Sequence, residues 1–224
     1  MQDIQSLYLA KKEAHIAENE HPGLRERQKE LAKSEILDAA LDLFNRHGYT
    51  KTTMQMIADQ AHVGVATVFR MFGKKGAILA ALSRRDLEEI FDDGWKVVLN
   101  PLPSLEDTVI ALVNAVIGML DKPSKHIRTP SHLWPAVVAG KAEIDEVVRW
   151  ADEMTILQFY GAIVEFEQKY KTKLPFEAED MAINLFYIFN GHYAAYLAEG
   201  TKKPKELADK LDRRIRIILN FEHS

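Results

Sequence analysis

The 224-residue chain contains no cysteine, which excludes a disulfide framework and any thiolate metal site and permits a reducing compartment. No apolar run approaches the length that a bilayer-crossing helix needs. The opening residues, MQDIQSLYLAKKEAHIAENEH, are too charged for a secretory signal, so a cytoplasmic protein with no membrane partner is expected. There is no Gly-rich phosphate loop, no nucleophile-elbow pattern and no His-Glu-x-x-His. Glu18 and His21 do have the Glu-x-x-His spacing of helical di-iron proteins. Such a site needs two of these motifs and two further carboxylates, and this one stands alone. No enzyme, catalytic residue, metal or cofactor is therefore expected. No segment alternates long enough to suggest a sheet, and neither internal repeats nor low-complexity tracts occur. These absences leave a chain of helices, long enough for one buried core or for a small domain joined to a larger one.

The most patterned stretch runs from Thr52 to Leu79, TTMQMIADQAHVGVATVFRMFGKKGAIL. Thr52 stands three residues before Gln55, a capping-box spacing that predicts a short helix from about Thr53, with Met54, Ile57, Ala58 and Ala61 on its buried side. His62-Val63-Gly64 interrupts the pattern, and Val65 to Phe72 resumes it with Val68 and Phe72 inward. Two helices joined by so short a turn should cross steeply. Val65, Ala66, Thr67 and Arg70 then face outward, and the small ones would let the backbone approach base edges.

Together with the preceding Ser34 to Phe44 helix and Gly48-Tyr49, this stretch resembles the amino-terminal domain of the TetR family of transcriptional repressors, over roughly residues 30 to 80. The residues in register are the AA-LF helix, the glycine-aromatic turn, Thr-Thr, Ile57-Ala58, Ala61, Val63, Thr67, Phe72 and Lys75. Three positions depart: His62 stands where the family usually has glycine, Gly64 where it usually has a serine or threonine cap, and Phe69 where it usually has tyrosine. The resemblance implies that Thr53, Thr67 and Lys75 meet phosphates and that Val65, Ala66 and Arg70 meet base edges. Gln55 belongs to the same surface, and Phe69, lacking the phenol, can still pack on the sugar-phosphate backbone.

A net charge of −4 argues against a nucleic-acid protein until its distribution is considered. Between Pro22 and Arg85 eleven Lys or Arg stand against six acids, a surplus of +5, so the rest of the chain carries −9. A basic head and an acidic body suit phosphate binding by the head alone.

Beyond Lys75 the pattern predicts helices from Lys75 to Leu99, from a Ser104 cap to about Leu120, over Leu133–Ala139, from Glu143 to Lys171, from Phe176 to Glu199 and from Pro204 to Phe221. The expected fold is all-α. An amino-terminal extension, with Ile4, Leu7, Tyr8 and Ala14 at helical spacing, is expected over 1–23; a three-helix helix-turn-helix DNA-binding domain over 24–80; and an effector-binding and dimerisation bundle over 81–224, giving about nine helices in all. One apolar stripe (Met181, Leu185, Ile188, Phe189, His192, Tyr193, Tyr196, Leu197) and another (Leu207, Leu211, Ile215, Ile218, Leu219) exceed what one neighbour need cover, so self-association is expected. In the resembled family the last helices pair in a four-helix bundle, which implies a homodimer.

A small hydrophobic effector should enter among Trp95, Trp134, Trp150, Met154, Phe159, Phe166, Phe189 and Tyr193, with His132, Glu165, Asn190 and His192 as polar handles. Aromatics at helical spacing are nonetheless more often core than pocket. The function expected is a ligand-responsive regulator, a repressor of a palindromic double-stranded DNA operator. The competing readings are a helical dimeric interaction module that no longer binds DNA and, more distantly, a helical metal enzyme.

Overall fold

The structure, a computed structural model, describes residues 4–17, 24–118, 142–199 and 203–220. The fold is all-α. The helices among those residues are α1 (Ile4–Ala17), α2 (Leu24–His47), α3 (Met54–Gln60), α4 (Val65–Phe72), α5 (Lys75–Val98), α6 (Leu105–Ile117), α7 (Ala142–Tyr170), α8 (Ala178–Glu199) and α9 (Pro204–Leu219). The expected Leu133–Ala139 helix lies outside the described residues.

Two compact units share this chain. The smaller is built from α2, α3, α4, the part of α5 up to Leu87 and the start of α7 up to Val148. The larger is built from α1, α5 from Glu88, α6, α7 from Arg149, α8 and α9. The division falls inside α5 rather than at residue 80, and the amino-terminal helix belongs to the larger unit. No proline or glycine interrupts α5 between Ala77 and Asp93, so nothing in the sequence breaks the helix at that point.

In the smaller unit the period-3.6 positions of α2 (Ile36, Leu37, Ala40, Leu43, Phe44) meet Ile57, Ala58 and Ala61 of α3, Val68 of α4 and Ile78, Leu79 and Leu82 of α5 in one buried cluster. Gly48, at φ 78°, closes α2 in the left-handed region that glycine adopts without strain, its N–H donating to the Phe44 carbonyl at 2.9 Å.

In the larger unit Ser104 caps α6 by accepting from the Asp107 N–H at 3.0 Å, and Gly118 ends the helix. Leu105, Val109, Leu112 and Val113 of α6 and Leu207, Leu211, Ile215 and Leu219 of α9 are buried, and α9 packs on α6 and α8. Arg216 of α9 reaches Asp107 at 2.9 Å and Asp212 at 3.2 Å. The apolar surplus of the last two helices is therefore smaller than their sequence suggests. Most of the α9 stripe, with Met181, Leu185 and Phe189 of α8, is already covered within the chain. Ile188, Tyr193, Tyr196 and Leu197 of α8 and Ile218 of α9 are half-buried, and Tyr187 and Ile217 are 68% and 70% exposed.

Candidate nucleic-acid interface

Helices α3 and α4 pack on each other and are joined by Ala61 to Gly64. The α3 cap is one residue later than its sequence suggests. Thr53, exposed and extended, accepts from the Met56 N–H at 3.2 Å, whereas Thr52 is buried and its hydroxyl is directed at the carbonyls of Gly48 (3.0 Å) and Leu43 (3.3 Å). The Thr52–Gln55 capping box is therefore not formed. Gln55 instead donates along the helix to Asp59 Oδ1 at 2.7 Å.

The turn into α4 explains two of the departures seen in the sequence. His62 has φ 54°, the left-handed conformation that a glycine would adopt without strain. Gly64 is the N-cap of α4, extended at φ −67°, ψ 138°, and makes no side-chain cap. A Cβ built there would meet nothing within 4 Å.

On α4 itself Val68 is wholly buried, and Ala66, Phe69 and Arg70 are exposed. Phe69 shows half of its surface, unusual for a large aromatic on a short surface helix. Val65 is half-buried against the core cluster and Thr67 is half-buried as well, so the outward face of α4 is narrower than expected. Phe72, expected inward, is only half-buried.

Lys75 differs most from expectation. Its ammonium donates to the carbonyls of Tyr49 (2.6 Å) and Thr52 (2.7 Å), with Thr50 at 3.4 Å, and sits 4.4 Å from the centre of the Tyr49 ring. The donors expected to meet phosphate thus hold the α2–α3 connection in place from the first residue of α5. Of the basic surplus, Arg46 and Arg85 are paired with Asp42 (2.9 Å) and Asp38 (2.7 Å); Lys51 and Arg70 are exposed.

The residues expected to line a pocket do not meet in one place. Trp134 and His132 lie outside the described residues. Phe159 and Phe189 line a small cavity with Phe91, Leu112, Val116 and Gln158. Its volume is about 10 Å³, room for about one water. Trp150 packs edge-on against Phe91 at 5.3 Å, Met154 is buried, and Tyr193 stacks on Phe189 at 5.4 Å. Burial, and secondarily the Tyr196 phenol, push the Tyr193 hydroxyl up to about 12. Asn190 is half-buried on α8, and Phe166 packs on Tyr170 at 4.8 Å. Trp95 and Glu165 instead face α1, whose Tyr8 ring lies 5.8 Å from Trp95 and donates its hydroxyl to Glu165 Oε1 at 2.7 Å.

Sequence reasoning missed Gln158. It is buried on α7 and donates to the Phe91 carbonyl at 2.6 Å, in a space left open by Gly94, where a Cβ would lie 2.3 Å from Gln158 Oε1. The available signal was a lone amide between Leu157 and Phe159 on an apolar helix face. A second, open groove of about 210 Å³ lies between α8 and α9, lined among others by His192, Tyr196, Glu206, Lys210 and Arg213. Burial, then Lys210 and Arg214, lower the His192 pKa.

Among the described residues no cluster of His, Cys, Asp and Glu could hold a metal, and no helix is long and apolar enough to cross a membrane.

Residues 36–82 match the family described as bacterial regulatory proteins, tetR family. The HTH-type transcriptional repressor KstR of Rhodococcus jostii is 30% identical over 128 residues, 57% of this chain and 58% of that one. The HTH-type transcriptional regulator TcmR of Streptomyces glaucescens is 29% identical over 102 residues, 45% of this chain and 42% of that one. The aligned region thus spans about half the length of these relatives. A putative TetR-family transcriptional regulator from Syntrophomonas wolfei superposes with a TM-score of 0.64 at 17% identity, over 87% of this chain and 97% of that one, a likeness of fold. The family match covers residues 36–82 of this chain, and beyond them the all-helical architecture is a likeness of fold.

Proposed function

We propose that the chain is a ligand-responsive transcriptional repressor that places α4 in the major groove of a palindromic operator. The observation that carries this reading is the outward face of α4. There Ala66 and Arg70 flank a half-exposed Phe69, in a segment with five more basic than acidic residues. A small residue admits the helix to the groove, Arg70 offers the donors that read base edges, and Phe69 covers sugar and phosphate. Thr53, with a hydroxyl hydrogen to spare beyond its capping role, Thr67 and Gln55 border the same face.

A homodimer through α8 and α9 would give the second reading helix its half-site one DNA turn away, roughly 34–36 Å. Tyr187 and Ile217 are the apolar side chains available for that contact. The effector site is the cavity of Phe91, Gln158, Phe159 and Phe189 in an opened form. Its lining favours a hydrophobic molecule with one hydrogen-bonding group opposite Gln158.

The test is an anisotropy titration of DNA flanking the chain's own gene at several salt concentrations. Specific binding should be sequence-dependent, with log K falling linearly against log salt, and Arg70→Ala should cost about 1–3 kcal/mol on the preferred sequence only. Equal, weak binding to every DNA, unchanged by Arg70→Ala, would instead make the chain a helical interaction module.

A further inference from the structure

Helix α1 is fixed to the larger unit through a single buried side chain. Of residues 4–15 only Tyr8 is buried, while Leu9 is about half exposed. A 14-residue helix has little stability by itself, so its order depends on its contacts with the larger unit, of which Tyr8 is the one fully buried side chain.

The receiving surface is shaped for it. The Tyr8 ring stacks on Trp95 of α5 at 5.8 Å and meets Tyr160 of α7 edge-on at 5.5 Å. It enters a notch left by Gly161, where a Cβ would lie 2.5 Å from Tyr8 Cε2 and 2.9 Å from Val98 Cγ1. At the rim, one oxygen, Glu165 Oε1, receives both the Tyr8 hydroxyl at 2.7 Å and the Lys12 ammonium. Burial, and the Glu165 carboxylate after it, raise the Tyr8 pKa, so the phenol remains a donor. His15 stacks on Trp95 two helical turns beyond Tyr8.

We propose that Trp95, Tyr160, Gly161 and Glu165 form a binding site for small aromatic ammonium compounds, and that α1 is its tethered occupant, displaced when such a compound binds. Two aromatic walls, a notch that takes a flat ring and a carboxylate at the rim are what a ring one carbon from an ammonium requires. Tyr8 supplies the ring and Lys12 the cation; a free ligand supplies both in one molecule. The site is separate from the cavity lined by Gln158, and its occupation needs no DNA.

The experiment uses the full chain and benzylamine, with benzyl alcohol as the neutral control, and follows hydrogen exchange in peptides covering residues 4–17. Benzylamine should accelerate that exchange saturably, by about tenfold or more, the effect of releasing a buried aromatic anchor; benzyl alcohol should require much higher concentration. Tyr8→Ala should give the fast exchange without ligand and bind benzylamine more tightly than the unaltered chain, because the internal competitor is gone. Gly161→Ala, which fills the notch, should free α1 and abolish the benzylamine response. Glu165→Gln, which removes one charge from a mostly buried side chain and keeps its size, should fold and lose the preference for the amine over the alcohol. Unaltered exchange of residues 4–17 at saturating benzylamine, or a Tyr8→Ala chain that binds it no more tightly, overturns the proposal. Since no DNA enters the assay, that failure is distinct from a failure of the regulatory reading.

Discussion

Replacing Lys75 by methionine keeps the aliphatic stem and removes only the ammonium. In the structure that ammonium makes two short charge-assisted bonds, to Tyr49 O at 2.6 Å and Thr52 O at 2.7 Å. The third, to Thr50 O at 3.4 Å, is at the limit of a useful hydrogen bond. Each short bond is worth roughly 1.5–3 kcal/mol net when the donor is charged and the site dry, and the Tyr49 ring adds about 0.5–1 kcal/mol. Lys75 is half-exposed, so water can replace part of this, and about 2–3 kcal/mol is expected to be lost from the smaller unit.

Urea unfolding combined with hydrogen exchange on α2–α3 peptides reads that unit apart from the larger one. DNA affinity should fall with it, because the Thr53 cap adjoins the loosened segment. The slope of log K against log salt should stay as it was, since the charge removed is engaged with carbonyls. A Lys75→Met chain within about 0.5 kcal/mol of the original in stability, with a slope lowered by about 0.9, would refute this and restore Lys75 as a phosphate contact.

Gly64→Ser should stabilise α4 by about 0.5–1.5 kcal/mol, through a new cap and a less flexible unfolded chain; the position is extended and a Cβ there meets nothing. A fall in stability would show that Gly64 is needed for its backbone. His62→Gly should gain up to about 1 kcal/mol by relieving the positive φ, less the entropy of a freer unfolded chain; a loss beyond about 1 kcal/mol would mean that the imidazole is itself bound. His192 has a folded pKa below its ordinary 6.5, from burial and from Lys210 and Arg214, so the unfolded chain takes up the proton first. Its contribution to stability is complete above 6.5 and is lost as pH falls through that value towards the folded pKa. His192→Asn should therefore flatten the fall in urea midpoint between about pH 7 and about pH 5.5, and an identical pH slope in both chains would contradict this.

How far the sequence could be read depended on the range of the interactions. Helix starts written in local chemistry were legible, Ser104 before Asp107 and Pro204 at a helix start, whereas the helix expected to run to about Leu120 has its C-cap at Gly118. The α3 cap was misread by one residue because Thr52 and Thr53 are chemically alike, and what separates them is a tertiary matter: Thr52 is buried against the Leu43 carbonyl. Lys75 was placed at a helix start correctly, yet its partners lie more than twenty residues earlier in the chain, beyond any periodicity. The α9 stripe was identified correctly as apolar, but whether α6 or a second chain covers it is a question of topology. Tyr8, visible in sequence only as one apolar position of a short helix, and Gly161 and Gln158, unremarked there, belong to the same class: their fit to one another or to neighbours arises only when distant helices meet.

The small volume of this cavity constrains the effector further. A ligand site of ordinary size takes 300 Å³ or more, and about 10 Å³ is present, so an effector must displace part of the lining. The cheapest parts to move are those that glycine leaves room for. Gln158 lies against Gly94, where a Cβ would come within 2.3 Å of its Oε1, and it is bonded to the carbonyl of Phe91, also on α5. Breaking that bond leaves the Gln158 amide to be satisfied among apolar side chains, which only a ligand with a polar group can do. A purely hydrocarbon effector therefore meets a penalty that an amphiphilic one avoids. Gln158→Leu should reverse the preference, lowering affinity for effectors with a hydrogen-bonding group relative to hydrocarbons of the same size, because selectivity here comes from the unpaired polar group rather than from cavity volume.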